Sequence, residues 1–207
     1  TALLLAARSA RSQTVKVLLS AGSAIDHQNL AGSTALLRAA IAGRRKTVRL
    51  LIKAGAEVNL YNLKNLSPLA AAAYNGDERI VRLLLDKGAE TDVVDNSDKT
   101  PIVYAAGRGF ASIVEILLKT GVDVDERYGN DLTALMWAAG YSNDVPSHEA
   151  VATVRVLLDH DAKVNLRDNR GRTALMIAAE MGHASVAEQL VKAGASVQLQ
   201  DGDGKSA

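Results

Sequence analysis

One phrase recurs along the 207 residues at an almost constant interval, and that interval constrains the fold more than any other feature of the chain. Taking the Thr or Ser that opens each copy as a mark, the phrase restarts at Thr1, Thr34, Ser67, Thr100, Thr133, Thr173 and Ser206, in steps of 33 residues with one step of 40. A period of this length encodes one supersecondary unit, too small to bury its own apolar face. The copies must therefore stack, and chain length counts repeats instead of domains.

Each copy reads as helix, tight turn, helix, extended loop. The mark suits a helix N-cap. Two residues on stands Leu3, Leu36, Leu69, Ile102, Leu135 or Leu175, and three further on an Ala pair, from Ala6-Ala7 to Ala178-Ala179, whose small side chains allow close helix approach. The second half carries an apolar pair such as Leu51-Ile52 or Leu84-Leu85, then Gly22, Gly55, Gly88, Gly121 or Gly194, which fits a helix C-terminus that turns through positive φ. Helices of about eight to ten residues are marginal alone, so stability must come from stacked neighbours.

The phrase T-[AP]-L-x-x-A-A, then G, then V-x-x-L-L-x-x-G-A-x-V-[ND], resembles the ankyrin repeat, and the resemblance spans the whole chain. It implies an all-α fold, a solenoid of stacked helix-turn-helix units joined by hairpin loops. Residues 1–207 are expected to form a single array of six repeats, with a partial seventh from Asp201. It also implies a non-catalytic protein–protein interaction scaffold, with no cofactor, that recognises a protein partner through a concave face made by hairpin tips and the exposed side of the first helices. Because the chain opens inside a repeat and Asp201 begins a unit that is cut short, it reads as a fragment. A regulatory or targeting segment of a larger protein is one alternative; binding of a small ligand or oligonucleotide on the concave face is another.

Departures from the period matter as much as the period. Repeat five holds seven extra residues between Ala139 and Val154, where a loop around 140–150 ends at Pro146 and a helix restarts at Ser147, lengthened by a turn. Asp161 stands where the other repeats have Gly, which predicts a strained or reshaped helix end. Ala10 replaces the mid-repeat Gly, and Leu4 and Leu5 are expected in the core.

Apolar residues make up 48% of the chain but only seven are aromatic, which favours short, closely packed helices over a β-sandwich or barrel. With no cysteine, disulfides and thiolate sites are excluded, and cytoplasm and bacterial periplasm both stay open, the cytoplasm preferred. No apolar run reaches the ~18 to 20 residues of a membrane span, so a soluble monomer is expected and no membrane partner. Residues 1–85 hold twelve Lys or Arg against four Asp or Glu, whereas residues 86–207 hold twelve against nineteen. The basic residues thus occupy part of the array and the remainder would repel phosphate, which disfavours nucleic acid.

Sequence motifs for chemistry dissolve into the repeat. The tail Gly202-Asp-Gly204-Lys205-Ser206 ends like a phosphate-binding loop but lacks the first Gly, having Leu199, and aligns with the loop at Asp168. A metal at His148, Glu149 and Asp159-His160-Asp161 needs the inserted loop to fold over, and His183 is expected to hydrogen-bond backbone. No serine sits in a strained nucleophile motif. The candidate partner-binding residues are therefore decorations of the face: Leu63, Lys64, Leu66, Tyr74 and Asn75 in repeat three, Lys99 and Arg108 in repeat four, Leu132 and Tyr141 in repeat five, and Arg170 and Arg172 in repeat six. Of these, Leu63, Leu66, Tyr74, Leu132 and Tyr141 are expected to be exposed, whereas Trp137 is expected in the core. Aromatic, apolar and Arg side chains of this kind are enriched at protein interfaces.

Overall fold

The computed structural model describes residues 1–140 and 145–207. Among these residues the secondary structure is helical, and the only β pairing is an isolated bridge between Tyr128 and Leu132. The chain divides into two compact units, Thr1–Ser97 and Asp98–Ala207.

The first unit holds three helix pairs: α1 (Ala2–Arg8) with α2 (Ser12–Ser20), α3 (Ala35–Ile41) with α4 (Arg45–Lys53), and α5 (Pro68–Tyr74) with α6 (Glu78–Leu85). First helices pack on first helices, α1 on α3 on α5, and second on second, α2 on α4 on α6. The second unit repeats the plan. It pairs α7 (Pro101–Gly107) with α8 (Ala111–Leu118), α9 (Ala134–Gly140) with α10 (Ser147–Asp159), and α11 (Ala174–Glu180) with α12 (Ala184–Lys192), and stacks α7, α9, α11 in one row of its own and α8, α10, α12 in another.

The repeated mark is an N-cap in both units. The side chains of Thr34, Ser67 and Thr173 accept the amide protons of Leu37, Ala70 and Met176, and Pro68 and Pro101 occupy the first helical position, where no amide donor is needed. Leu36, Leu69, Ile102 and Leu135 lie in the core at 2% exposure or less. Each such side chain contributes about 1.5–3 kcal/mol by leaving water. The Ala pairs Ala39-Ala40 and Ala72-Ala73 are fully buried, as close packing of the first helices demands.

Helix ends follow the glycines. Gly55 at φ +89 donates its N–H to Ile52 O at 3.1 Å and Ala56 donates to Leu51 O at 3.0 Å, a left-handed C-terminal cap. Asp161, at φ 64, closes α10 with the same pair of bonds, to Leu158 O at 3.0 Å from its own N–H and to Leu157 O at 3.1 Å from Ala162. The helix end is therefore not reshaped, and the strain is confined to one backbone angle. Ala10, at φ 59, carries the same burden in the first unit. Leu4 is buried as expected, but Leu5 is 68% exposed: it lies on the outward side of α1, off the face that meets α2 and α3.

The insertion in repeat five lengthens α10 to 13 residues, against seven to nine for the other helices. Its side chains Val145 and Glu149 come down on Gly109, where a Cβ would stand 2.5 Å from Val145 and 3.1 Å from Glu149.

Candidate partner-binding surface

The loops that join successive repeats are built alike. In the first unit Asn29 Oδ1 accepts the N–H groups of Ala31 and Ser33 at 3.0 and 2.9 Å, and Asn62 Oδ1 those of Lys64 and Leu66 at 2.9 and 3.1 Å. Each side chain replaces a backbone turn partner and holds the tip rigid. Neighbouring tips are then tied together: Leu63 N–H donates to Ala31 O at 3.0 Å, and Asn96 N–H to Lys64 O at 3.0 Å. Gly32, at φ +72, is required here, because a Cβ would stand 2.8 Å from Leu63 N.

This construction sets Leu30 and Leu63 at equivalent places on adjacent tips, 101% and 73% exposed. Ile41 and Tyr74 end α3 and α5 at another shared repeat position, 39% and 47% exposed. Lys64 is exposed beside Leu63. Leu66 is half-buried, because its N–H is drawn in by Asn62 to close the loop. Asn75 lies at the surface, but its amide is committed to Ala40 O at 3.1 Å and Ile41 O at 2.8 Å, so it clasps α3 to α5.

In the second unit Asp168 accepts from Arg170 and Arg172 N–H at 3.0 and 2.8 Å, and Asp201 from Asp203 and Lys205 N–H at 2.9 Å each. The Gly-Asp-Gly-Lys tail is thus the next repeat loop. The bond from the Lys205 amide holds the Asp201 carboxyl below its ordinary pKa. Asn169 N–H reaches Asn130 O at 3.0 Å and Gly202 N–H reaches Arg170 O at 2.7 Å, a tip-to-tip ladder of the same kind within this unit.

Several expected contact residues serve the fold of this unit instead. Leu132 is buried, at 3% exposure, because Tyr128 and Leu132 exchange both backbone hydrogen bonds across a tight turn with Asn130 and Asp131 at positive φ, and the turn folds the side chain inward. Arg172, whose side chain is 15% exposed, spans Asp168 at 2.9 Å and Glu180 at 3.1 Å, bracing its own loop against α11. Lys99 is half-buried with its Nζ 4.9 Å from the centroid of Trp137 and 5.6 Å from that of Tyr104. Trp137, expected in the core, is accordingly only half-buried. Arg108 and Arg170 are exposed, the former with its guanidinium 5.7 Å from the Phe110 ring. Tyr141 lies outside the described residues.

An open hollow of ≈790 Å³ runs between α11 and the Asp201 loop, past Arg172, Met176 and Glu180. No group of three His, Asp or Glu side chains suited to a metal ion occurs among the described residues. His183 Nδ1 lies 2.9 Å from Ala139 O, a backbone carbonyl on the last turn of α9, and His160 Nε2 lies 2.9 Å from Glu115 Oε2. Together with Lys119 at 2.7 Å, the dominant influence, His160 draws the Glu115 pKa below its usual value. Tyr61, partly buried and donating to Glu90, has its pKa pushed up to about 12. What the surface offers a visitor is side chains on pre-ordered loops.

Leu30 and Ile41 are exposed apolar residues at the repeat positions of Leu63 and Tyr74, outside the eleven candidate contact residues. Their signal was available in the repeat alignment, since Leu30 aligns with Leu63 and Ile41 with Tyr74.

The family model described as ankyrin repeats (3 copies) matches residues 1–62, 69–151 and 126–201. The human and mouse ankyrin repeat domain-containing protein 63 are each 47% identical to this chain over 53 residues, 26% of its length, and the chain spans 14% of the length of these curated relatives. The crystal structure of the human ASB11 ankyrin repeat domain superposes with a TM-score of 0.87 at 27% identity, covering 100% of this chain and 89% of that one. An ankyrin repeat domain from Acinetobacter baumannii AYE gives 0.82 at 32% identity, over 94% of this chain and 98% of its own. The ankyrin repeat domain of Bcl-3, at 24% identity and a TM-score of 0.81, covering 100% of this chain and 91% of its own, shares the fold. With matched segments running from residue 1 to residue 201 and the same paired helices, the chain belongs to the ankyrin repeat family, generally a protein-binding and typically non-catalytic module.

Proposed function

We propose that this chain is a non-catalytic scaffold that recognises another protein through its loop tips and the exposed ends of its first helices. The observation that carries the reading is the exposed apolar set in the first unit, Leu30 and Leu63 on adjacent tips with Ile41 and Tyr74 nearby in the repeat pattern. Large apolar side chains on a hydrogen-bonded ladder lose little conformational freedom on binding, so burial is converted efficiently into affinity. Lys64 beside them, and Arg108 and Arg170 in the second unit, are the charged contacts of the same kind of surface.

The test is a triple variant, Leu30→Ala, Leu63→Ala and Tyr74→Ala. It is expected to keep the helical circular dichroism and melting temperature of the parent while losing a protein partner that the parent retains from an extract and that mass spectrometry identifies. Equal retention by parent and variant would overturn the reading. A regulatory or targeting role within a longer protein would use the same surface.

A further inference from the structure

The second helices present a face that the tips do not share. On α4 the residues Lys46, Arg49, Leu50 and Lys53 follow one another at i, i+3, i+4 and i+7 and form a single outward stripe, opposite the buried Val48, Leu51 and Ile52. The same stripe on α2 is Gln13, Lys16, Val17 and Ser20, and on α6 it is Arg79, Arg82, Leu83 and Asp86. Across these three packed helices the stripe holds six cations and one carboxylate. In the second unit the stripe on α8, α10 and α12 carries three cations, Lys119, Arg155 and Lys192, against Glu115, Asp159 and Glu188, and balances to zero.

The charge of the first stripe is poorly matched from within. Arg82 pairs with Glu78 at 2.9 Å, whereas no ion pair joins Lys16, Lys46, Arg49, Lys53 or Arg79 to a carboxylate among the described residues. Like charges gathered this way repel one another, and an anionic visitor relieves that repulsion. Between the cations runs an apolar row, Val17 at 56% exposure with Leu50 and Leu83 half-buried.

We infer that this face of the first unit is a second docking surface, and that its occupant is an acidic amphipathic helix of a partner protein. Carboxylates answer the cation rows and one apolar edge answers Val17, Leu50 and Leu83. Three helices packed about 8–10 Å apart make the row ~20 Å long, which a helix of ~13 residues spans. The stripe contains no aromatic ring on which a nucleic-acid base could stack, which disfavours single-stranded nucleic acid. Leu50 and Leu83 are recessed, which disfavours insertion into a lipid surface.

The test uses the whole chain and a labelled, end-capped peptide of ~15 residues with Glu and Leu at i, i+3, i+4 spacing, followed by fluorescence anisotropy. Binding is expected, weakening as salt rises from ~50 to ~300 mM because screening shortens the reach of the charges. The set Lys46→Glu, Arg49→Glu and Arg79→Glu is expected to lower affinity at least about tenfold with an unchanged melting temperature. Should that set unfold, Lys46→Gln, Arg49→Gln and Arg79→Gln is expected to give a smaller loss in the same direction. Reversing Arg155 and Lys192 to Glu, or applying the Leu30, Leu63, Tyr74 triple variant, is expected to leave peptide affinity as it was. Absence of binding, equal affinity for the reversed variant, or equal affinity for a peptide with Leu replaced by Gln would overturn the inference. Capture by phosphatidylserine vesicles or by an oligonucleotide, without the peptide, would overturn it as well.

Discussion

The two units run the same repeat under different constraints. Thr1–Ser97 keeps strict spacing and ends each first helix on a large side chain, whereas two of the three first helices of the second unit end on glycine. At the last position of the first helices it has Arg8, Ile41 and Tyr74, all exposed, whereas Asp98–Ala207 has Gly107, Gly140 and the exposed Glu180. A Cβ on Gly140 would meet the Ile177 side chain, with Met181 at 3.2 Å and Ile177 O at 3.3 Å. The first unit thus carries a large exposed side chain at this position, whereas α9 gives it up to let α11 approach. Identity of repeat position does not mean identity of role.

The largest effect that would sharpen this contrast is at that position. Gly140→Val is expected to destabilise the chain by about 1–3 kcal/mol through overpacking, read as a lower urea midpoint at unchanged slope. Tyr74→Ala at the aligned site is expected to stay within about 0.5 kcal/mol, as exposed substitutions do. Equal losses at the two sites would break the contrast.

Next in size is the start of the second helices. Asp77, 6% exposed, caps α6 by accepting Ile80 N–H at 3.2 Å and takes both Arg45 Nε contacts at 2.9 and 2.7 Å, whereas the second unit has Phe110 and His183 there. Asp77→Ala removes a cap and a charge partner together and is expected to cost about 2 kcal/mol by denaturant melts. Phe110→Ala removes no cap and no ion pair, so its loss is expected to come from packing and the Arg108 contact and to depend less on salt than that of Asp77→Ala.

How much of this was legible beforehand follows from what repeats. The N-caps, the Ala pairs and the glycine-closed helix ends are local rules written once per repeat, so the copies read them unambiguously, and the longer α10 shows as the one break in the period. The fate of individual surface residues was not local. Leu66 and Leu132 share a repeat position, yet Leu132 is buried because Tyr128 replaces the Asn or Asp that opens the other loops and pairs with it. Arg172 was readable as a loop cation, but its commitment depends on Glu180 eight residues away on α11. Asn75 spends its amide on the preceding repeat, a partner 34 and 35 residues distant. Separations of this size are invisible to a window of one repeat.

Each unit follows one helix with a non-glycine residue at positive φ where sibling repeats have Gly, Ala10 and Asp161, and replacing it should raise stability. Ala10→Gly relieves a left-handed residue with no side-chain compensation and is expected to gain about 1 kcal/mol, read as a higher melting temperature. Asp161→Gly is expected to gain less, because Asp tolerates that conformation better. A larger gain at Asp161 than at Ala10 would mean that its carboxylate is strained by something other than backbone.

The smallest expected effect is confined to alkaline pH and sets Tyr61 of the first unit apart from the other residues that precede a loop opener. In the second unit this place holds Arg127 and Arg167, whose guanidinium groups donate to Arg167 O and Gln200 O of the following repeat. In the first unit it holds Gln28, which donates to Tyr61 O in the same way, Val94, and Tyr61, which instead donates its hydroxyl to Glu90 and has its pKa pushed up to about 12 by burial, that hydrogen bond and the nearby carboxylates. The unfolded chain releases the Tyr61 proton near pH 10, whereas the folded chain keeps it to about 12. Stability from this group is therefore complete below pH 10 and falls as pH rises toward 12, because unfolding then releases a proton. Stability measured by urea melts at several alkaline pH values should fall more steeply for the parent than for Tyr61→Phe, and matching slopes would show that Glu90 does not hold the phenol in solution.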